Sequence, residues 1–236
     1  MQQILGYLRR AVDDFQMIRP QEKIAVALSG GKDSMLMLEG LKRLSLFHPA
    51  QFSILAIFID LGFQNINREA LRTFCAKCGV PLVIKETDIA PLIFEIRQEA
   101  NPCSLCAKMR RGCLHDTANE NGCATIALGH HADDTVETFI MNLIYEGRIG
   151  CFQPVTYLSR KDVRVIRPMI YLTEKQICAA VNRLDIQPLK NPCPMDHASS
   201  RQKIKDLLRE AEARYPGLRE RIFGAIQRSA LPGWEK

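Results

Sequence analysis

The stretch that decides the fold is Ser29-Gly30-Gly31-Lys32-Asp33-Ser34. It follows directly on the apolar run 23–28 and leads into a segment, 35–46, that has the composition of a helix. A strand that ends in a glycine loop and opens a helix is suited to hold phosphate, because glycine lets the backbone approach an anion and the first helical turn offers unpaired N–H groups. Lys32 adds a mobile positive charge. We therefore expect ATP to bind along this loop, at Ser29, Gly30, Gly31, Lys32, Asp33 and Ser34.

The spacing of the loop excludes two commoner nucleotide-binding loops. It matches neither the Walker loop, G-x-x-x-x-G-K-S/T, nor the dinucleotide loop, G-x-G-x-x-G. Ser-Gly-Gly-Lys-Asp-Ser instead resembles the signature of the PP-loop superfamily. That resemblance implies an enzyme that splits ATP between its α and β phosphates and leaves AMP on a substrate oxygen. The alternative is an ordinary turn rich in Gly and Ser, but the loop lies where α/β folds bind their ligands.

Composition indicates a cytoplasmic protein that can meet a polyanion. No apolar run approaches a membrane span or has the form of a signal peptide, so we expect no membrane partner. The net charge of +6 suits a polyanionic partner, although scattered surface charge explains it equally well. Nine cysteines in such a chain favour metal or redox chemistry over disulfides.

Apolar segments alternate with helical segments along most of the chain. Strand candidates lie at 23–28, 52–60, 81–85, 123–128 and 163–166, and helix candidates at 34–46, 67–78, 104–119 and 173–184. Strands that are apolar throughout and alternate with helices predict a parallel sheet covered on both faces. The sequence therefore predicts a doubly wound α/β fold.

Helical segments are expected to flank this core on both sides. The spacing of Ile4, Leu8, Val12 and Phe15 predicts an amphipathic helix over 1–19, closed by Pro20, which packs on the domain edge or on a partner subunit, as in a homodimer. A basic helical tail finishes the chain. We expect an N-terminal helix (1–20), an ATP-binding α/β domain (21–170) and a helical C-terminal extension (171–236).

Three of the predicted strands end in polar residues: the loop 29–34, Asp60, and the run Gly129-His130-His131-Ala132-Asp133-Asp134. Ligands in such folds bind beyond the carboxyl ends of the strands, so these residues should converge on one cleft. We expect Asp60, Gly129 and His130 to contact the nucleotide. Asp133 and Asp134 can cap the next helix, but a cap explains one carboxylate and not two, which favours a functional role.

Three cysteines form a candidate metal site. Cys103 and Cys106 lie three residues apart at the start of a predicted helix, where the dipole favours thiolate. Cys193 lies in Asn191-Pro192-Cys193-Pro194, a rigid turn suited to carry one remote ligand. Together these residues can supply three sulfurs. We interpret the remaining thiols as small core residues, namely Cys113, Cys123, Cys151 and Cys178.

A zinc site is the alternative use of the thiols. Cys75 and Cys78 form a second C-x-x-C pair, and with Cys103 and Cys106 they would complete a four-thiolate zinc site. The second pair, however, falls at the end of an amphipathic helix that feeds directly into a strand, which leaves no turn for a zinc knuckle.

The ordered set of motifs is similar to that of the tRNA 2-thiocytidine synthetase group of PP-loop enzymes. The set comprises the loop 29–34, the Cys103 and Cys106 pair followed by Lys108-Met109-Arg110-Arg111, the run 129–138, Arg167-Pro168-Met169, and Cys193. By this resemblance Cys103, Cys106 and Cys193 hold a 4Fe-4S cluster whose fourth iron has no protein ligand. Ala132 is a departure, because a larger, often basic residue is usual there.

The resemblance implies a two-step reaction on tRNA. ATP first adenylates the C2 oxygen of a pyrimidine, most simply cytidine, while Mg²⁺ and Lys32 neutralise the departing pyrophosphate. Sulfur is supplied as sulfide or by a cysteine desulfurase relay. The open iron would bind this sulfur, which then replaces AMP on the base. Asp33, Asp133 or Asp134 can hold the magnesium ion or move protons. Arg110 and Arg111 can orient the substrate, as arginine forks do, although a solvated helix face explains them as well.

Two other functions use the same loop. A cluster-free ligase or amidotransferase of the lysidine synthetase type needs no cysteine triad, and a nucleotide-binding sensor would hold ATP without turnover. The triad argues against the first and the pyrophosphatase loop against the second.

Overall fold

The computed structural model describes residues 1–98, 102–195 and 200–235. Within these ranges a six-stranded sheet has the order β3-β2-β1-β4-β6-β5. The strands are β1 (Lys23–Ala27), β2 (Ser53–Asp60), β3 (Leu82–Glu86), β4 (Thr125–Ala127), β5 (Val155–Leu158) and β6 (Val163–Ile166). The helices are α1 (Gln2–Asp14), α2 (Lys32–Ser45), α3 (Arg68–Cys78), α4 (Ile89–Pro91, continuing as a π-helical turn, Leu92–Ile96), α5 (Pro102–Glu120), α6 (Ala132–Glu146), α7 (Glu174–Arg183), α8 (Ser200–Arg214) and α9 (Leu218–Arg228).

The sheet is parallel except at one edge. Strands β3, β2, β1, β4 and β6 run in the same direction, and only β5 pairs antiparallel, as a hairpin with β6. The chain adds β2 and β3 on one side of β1, and then β4 and β6 on the other. The reversal therefore lies between β1 and β4, which is where doubly wound folds bind their ligands. The predicted fold class is confirmed; the hairpin strand β5 was missed.

Both faces of the sheet are covered, which explains why its strands are apolar throughout. Along β2, Ala56 and Phe58 join the core under α1, α2 and α3, whereas Leu55, Ile57 and Ile59 join a second core under α5. Alternate side chains of a strand point to opposite faces, so every position of this strand after its first is buried.

The terminal segments pack into the same core as the α/β unit. Leu8 of α1 is fully buried, and its Cδ1 atom lies where a side chain on Gly40 of α2 would begin. Trp234 is buried near the C-terminus and its ring meets Phe15 edge-on, with centroids 6.1 Å apart. The first helix ends at Asp14 rather than at residue 19, because Gln16 takes a positive φ of 45° and the chain turns there. None of the described helices is long and apolar enough to cross a membrane.

Replacement of Leu8 by alanine tests the packing of the first helix. Because Leu8 is fully buried against Gly40, Leu8→Ala should lower the free energy of unfolding by about 3 kcal/mol, measured by urea denaturation. Leu46→Ala is the matched control, since Leu46 is 74% exposed and its loss should cost less than about 0.5 kcal/mol. Equal losses in the two variants would contradict this packing.

Candidate active site

The loop between β1 and α2 is held in shape by its own serines. The Ser29 N–H donates to Ser34 Oγ (3.1 Å), and the Ser34 hydroxyl donates to the Gly31 carbonyl (2.9 Å). Gly30 takes a φ of +81°, which L side chains rarely adopt, and Gly31 caps the helix. The loop thus presents the N-terminus of α2, the positive end of its dipole, beyond the sheet.

A backbone hydrogen bond joins this loop to the segment that carries Cys193. The Leu189 N–H donates to the Gly30 carbonyl (2.8 Å). The Leu189 side chain also fills the space beside Gly30, since a Cβ atom there would lie 2.9 Å from Leu189 Cδ1. Residue 30 must therefore be glycine for two reasons, its left-handed backbone and this close contact.

Lys32 is bound by two carboxylates. Its Nζ atom lies 3.1 Å from Asp33 Oδ1 and 3.1 Å from Glu174 Oε1, at the start of α7. Burial opposes the charge on Lys32, but Asp33 and Glu174 more than offset it and raise the pKa of Lys32. The lysine is thus a fixed cation at the phosphate loop. Asp33 Oδ1 is buried, and its neighbours are Lys32 Nζ at 3.1 Å and His131 Nε2 at 3.9 Å.

The end of β4 meets the loop at close range. A Cβ atom on Gly129 would lie 3.3 Å from the backbone of Asp33 and Ser34, so this glycine allows the two loops to touch. His131 is buried, and its Nε2 atom lies 3.9 Å from Asp33 Oδ1 and 3.4 Å from Asp134 Oδ2. Of the three strand ends predicted to converge, the ends of β1 and β4 are adjacent.

His130 lies in a stack with an arginine and a phenylalanine. Its ring stacks on Phe152 at 4.9 Å, and its Nδ1 atom accepts a hydrogen bond from Arg167 Nε (3.2 Å). Burial, and then the charge of Arg167, lower the pKa of His130 to about 4. The imidazole is therefore neutral near pH 7 and acts as a hydrogen-bond acceptor.

Both aspartates of the run 129–134 have structural partners. Asp134 Oδ2 accepts from the His131 N–H (3.0 Å) in a capping box, while Asp134 Oδ1 accepts from Arg201 (2.7 Å). Asp133 Oδ2 accepts from the Glu174 N–H (2.7 Å) and so fixes the start of α7. Burial alone would raise the pKa of Asp134, but the neighbouring histidines and Arg201 lower it overall. Two carboxylates therefore cap two different helices, a possibility that the sequence argument had not considered.

The C-terminal helices supply residues that the sequence analysis missed. Glu137 of α6 is fully buried, neither of its carboxylate oxygens accepts a hydrogen bond, and burial raises its pKa to about 7. Three cations of α8 and α9 lie 3.6 to 3.8 Å from it: Arg201, Lys205 and Arg219. Lys205 also lies 3.5 Å from Glu174 Oε2. The only sequence signals for this network were Glu137 within the run 129–138 and the basic tail.

Asp60 lies at the end of β2 on the same edge of the sheet, as predicted. It is fully buried, its Oδ2 atom accepts from Arg68 (2.6 Å) and its Oδ1 atom accepts from the Gly62 N–H (2.9 Å). Its carboxylate therefore fixes the turn after β2, and its contact with a nucleotide stays a prediction.

The three candidate cluster cysteines lie at the same edge of the sheet as the phosphate loop. Cys103 and Cys106 begin α5, which enters the domain from the carboxyl end of the strands. Burial raises the pKa of the Cys106 thiol, Arg110 lowers it, and Cys193 and Cys103 raise it further. The thiol of Cys106 is thus within electrostatic range of the other two and of Arg110.

The thiols do not converge on one point as a single ion requires. In 1–98, 102–195 and 200–235 no three His, Cys, Asp or Glu side chains stand close enough to hold one metal ion. A four-iron cluster spaces its sulfur ligands more widely, because each thiolate binds a different iron. Three free cysteines in electrostatic range fit such a cluster as a donor set.

The four-thiolate zinc site is wrong. Cys75 belongs to the core on one face of the sheet, whereas α5 packs on the other face. Helix α3 ends at the amino ends of the strands, whereas α5 begins at their carboxyl ends, because each helix connects two parallel strands. Burial raises the pKa of Cys75 to about 11, and the Cys78 thiol donates to Glu39 (3.0 Å).

The fold and this site define a class of protein. A family model described as the PP-loop domain matches residues 5–212. The chain belongs to the PP-loop family, as its loop motif predicted.

Individual relatives are more specific. The chain is 39% identical to a protein of Neisseria meningitidis named tRNA-cytidine(32) 2-sulfurtransferase, over 92% of this chain and 69% of that protein. A Pelobacter propionicus protein of the same name is 33% identical over 92% of this chain and 82% of its own length. Among solved structures, the U34-tRNA thiolase NcsA from Methanococcus maripaludis, with its 4Fe-4S cluster, matches with a TM-score of 0.77 at 26% identity, over 94% of this chain and 77% of that one.

The neutral histidine gives a pH test of the site. Because the pKa of His130 is about 4 when folded against 6.5 when unfolded, its neutral form stabilises the protein above about pH 6.5. That contribution, up to about 3 kcal/mol, is lost as the pH falls from 6.5 through 4. In urea denaturation at pH 7.5 and 4.5, His130→Asn should lose less stability on acidification than wild type. Equal losses in the two proteins would contradict the assignment.

Proposed function

We propose that this protein is an ATP-dependent tRNA 2-thiolase that acts on cytidine. ATP adenylates the C2 oxygen of the base, and sulfur then replaces AMP. The relatives named for cytidine 2-sulfurtransfer and the thiolase among the solved structures support this substrate and this chemistry. The modified nucleotide is proposed to be cytidine 32 of the tRNA, the position in the relatives' names.

One observation carries the proposal: the backbone hydrogen bond from Leu189 to Gly30. It joins the phosphate loop to the segment that carries Cys193, four residues further along. The pKa of Cys106 in turn responds to Cys193 and Cys103. The site that would cleave ATP and the site that would deliver sulfur are therefore neighbours, as an exchange of AMP for sulfur on one carbon requires.

The phosphate loop is proposed to bind the triphosphate. The backbone of the loop 29–34 and the N-terminus of α2 would hold the phosphates, and Lys32 would neutralise the departing pyrophosphate. Asp33 is the carboxylate proposed to bind Mg²⁺, and its Oδ1 atom would then exchange its contact with Lys32 Nζ (3.1 Å) for the metal ion. Magnesium would withdraw charge from the phosphates as they separate. Asp60, Gly129 and His130 are proposed to line the nucleotide pocket.

The aspartates Asp133 and Asp134 are proposed to act mainly by holding the pocket together. Each fixes the start of a helix, α7 through the Glu174 N–H and α6 through the His131 N–H. His131 would then face Asp33 in a constant orientation. We propose that His131, rather than Asp133 or Asp134, would move protons at the cytidine base.

The sulfur site is proposed to be a 4Fe-4S cluster on Cys103, Cys106 and Cys193. A cluster with three protein ligands leaves one iron that can bind an external sulfur atom. Burial raises the pKa of the Cys106 thiol overall, and the charge of Arg110, one turn further on, opposes that rise. Arg110 is exposed and is also proposed to meet an RNA phosphate. Cytoplasmic location, sulfide or a desulfurase as donor, and a homodimer stay predictions.

Cysteine variants test the sulfur site. Cys106→Ala and Cys193→Ala should each lose the bound iron and lower 2-thiocytidine formation by about 100-fold or more. Loss of a hydrogen-bond partner of a metal ligand can already lower activity by up to about 100-fold, and these variants lose a ligand itself. Iron and sulfide analysis of anaerobically prepared protein and nucleoside mass spectrometry of tRNA from complemented cells measure the two effects. Cys113→Ala, on the same helix, is the matched control. Full thiolation by the iron-free variants would overturn the role assigned to the cluster.

The lysine of the loop tests the ATP site. Lys32→Ala removes the cation expected at the leaving pyrophosphate, so formation of AMP and pyrophosphate with tRNA should fall by about 100- to 1,000-fold. Lys77→Ala, an exposed lysine on α3 at the opposite edge of the sheet, should leave the rate unchanged. Normal AMP formation by the Lys32 variant would remove the role assigned to the loop.

A further inference from the structure

Lys32 does not stand free at the phosphate loop. Glu174 and Asp33 each hold its ammonium group at 3.1 Å. The ammonium group has three N–H donors and the two carboxylates engage two of them, so their negative charges compete with the phosphates of a bound nucleotide for Lys32. Asp33 is the next residue in the loop, whereas Glu174 belongs to α7, a separate element.

Glu174 has a second cation on its other oxygen. Lys205 of α8 lies 3.5 Å from Glu174 Oε2, while Lys32 lies 3.1 Å from Oε1. The Glu174 N–H is bound to Asp133, and the capping box of Thr173 and Gln176 fixes the same helical turn. The carboxylate is thus placed between two lysines by contacts that do not involve its own charge.

We propose that Glu174 is a positioning residue that exchanges its cation during the reaction. It would hold Lys32 in the empty site, yield it to the phosphates when ATP binds, and recapture it when pyrophosphate leaves. Lys205 would compensate the charge of Glu174 while Lys32 is on the phosphates. The Glu174 carboxylate therefore competes with pyrophosphate for Lys32, and Lys205 weakens that competition. The inference rests on the proposed function of the loop.

The two partners should affect binding in opposite directions. Glu174→Gln removes the competing charge, so pyrophosphate and a non-hydrolysable ATP analogue should bind about three- to fivefold more tightly. Lys205→Gln leaves Glu174 with Lys32 alone, so both ligands should bind more weakly by a similar factor. Glu137 keeps Arg201 and Arg219 nearby in this variant, so the helices should stay packed.

Calorimetric titration of the full chain with inorganic pyrophosphate and with the ATP analogue, without RNA, tests this exchange. Glu210→Gln, an exposed change on α8, is the control and should bind as wild type. In turnover, Glu174→Gln should show a lower KM for ATP and stronger inhibition by pyrophosphate.

The outcomes separate the two proposals. Tighter binding by Glu174→Gln with weaker binding by Lys205→Gln supports the exchange, whereas weaker binding in both variants means that the pair is merely structural and overturns it. If wild type binds pyrophosphate but neither variant differs from it, the exchange is wrong and the proposed function stands. If wild type binds neither ligand, both proposals are wrong.

Discussion

The rest of the site depends on the contact between Gly30 and Leu189. The backbone hydrogen bond joins residues far apart in the sequence, and the Leu189 side chain fills the space in which a Cβ atom of residue 30 would lie. Gly30 also adopts the left-handed backbone conformation that turns the loop away from β1. One residue therefore shapes the phosphate loop and receives the segment with Cys193. A side chain at residue 30 would strain the loop backbone and press on Leu189, in the segment that carries Cys193.

Around this contact, charged groups of opposite sign are paired with one another. Acidic side chains at the starts of α2, α6 and α7 face cations from the phosphate loop and from the C-terminal helices. Burial would make each isolated charge costly, so the ions stabilise the site only as a connected set. Such a set also links the position of α8 to the charge at Lys32.

The C-terminal helices thus pack into the α/β unit and are not an appendage. They cover α6, whose start lies against the phosphate loop, and the tail beyond them buries Trp234 beside Phe15. The chain closes on itself, because residues near both ends contribute to a single core. The predicted domain boundary at residue 170 follows the order of elements along the sequence. The elements on its two sides nevertheless pack into one core.

The sequence by itself determined the phosphate loop and the parallel sheet, and it predicted the cysteine triad. Glycine at a strand end and unbroken apolar strands are local signals, whose meaning follows from backbone geometry and from burial on two faces. Only the tertiary structure decided the partners of the charged residues. Asp133 caps α7, 41 residues away, and Glu174 holds Lys32, and neither pairing has a local signature. It also separated Cys75 from Cys106, because spacing along a chain does not show on which face of the sheet a helix packs.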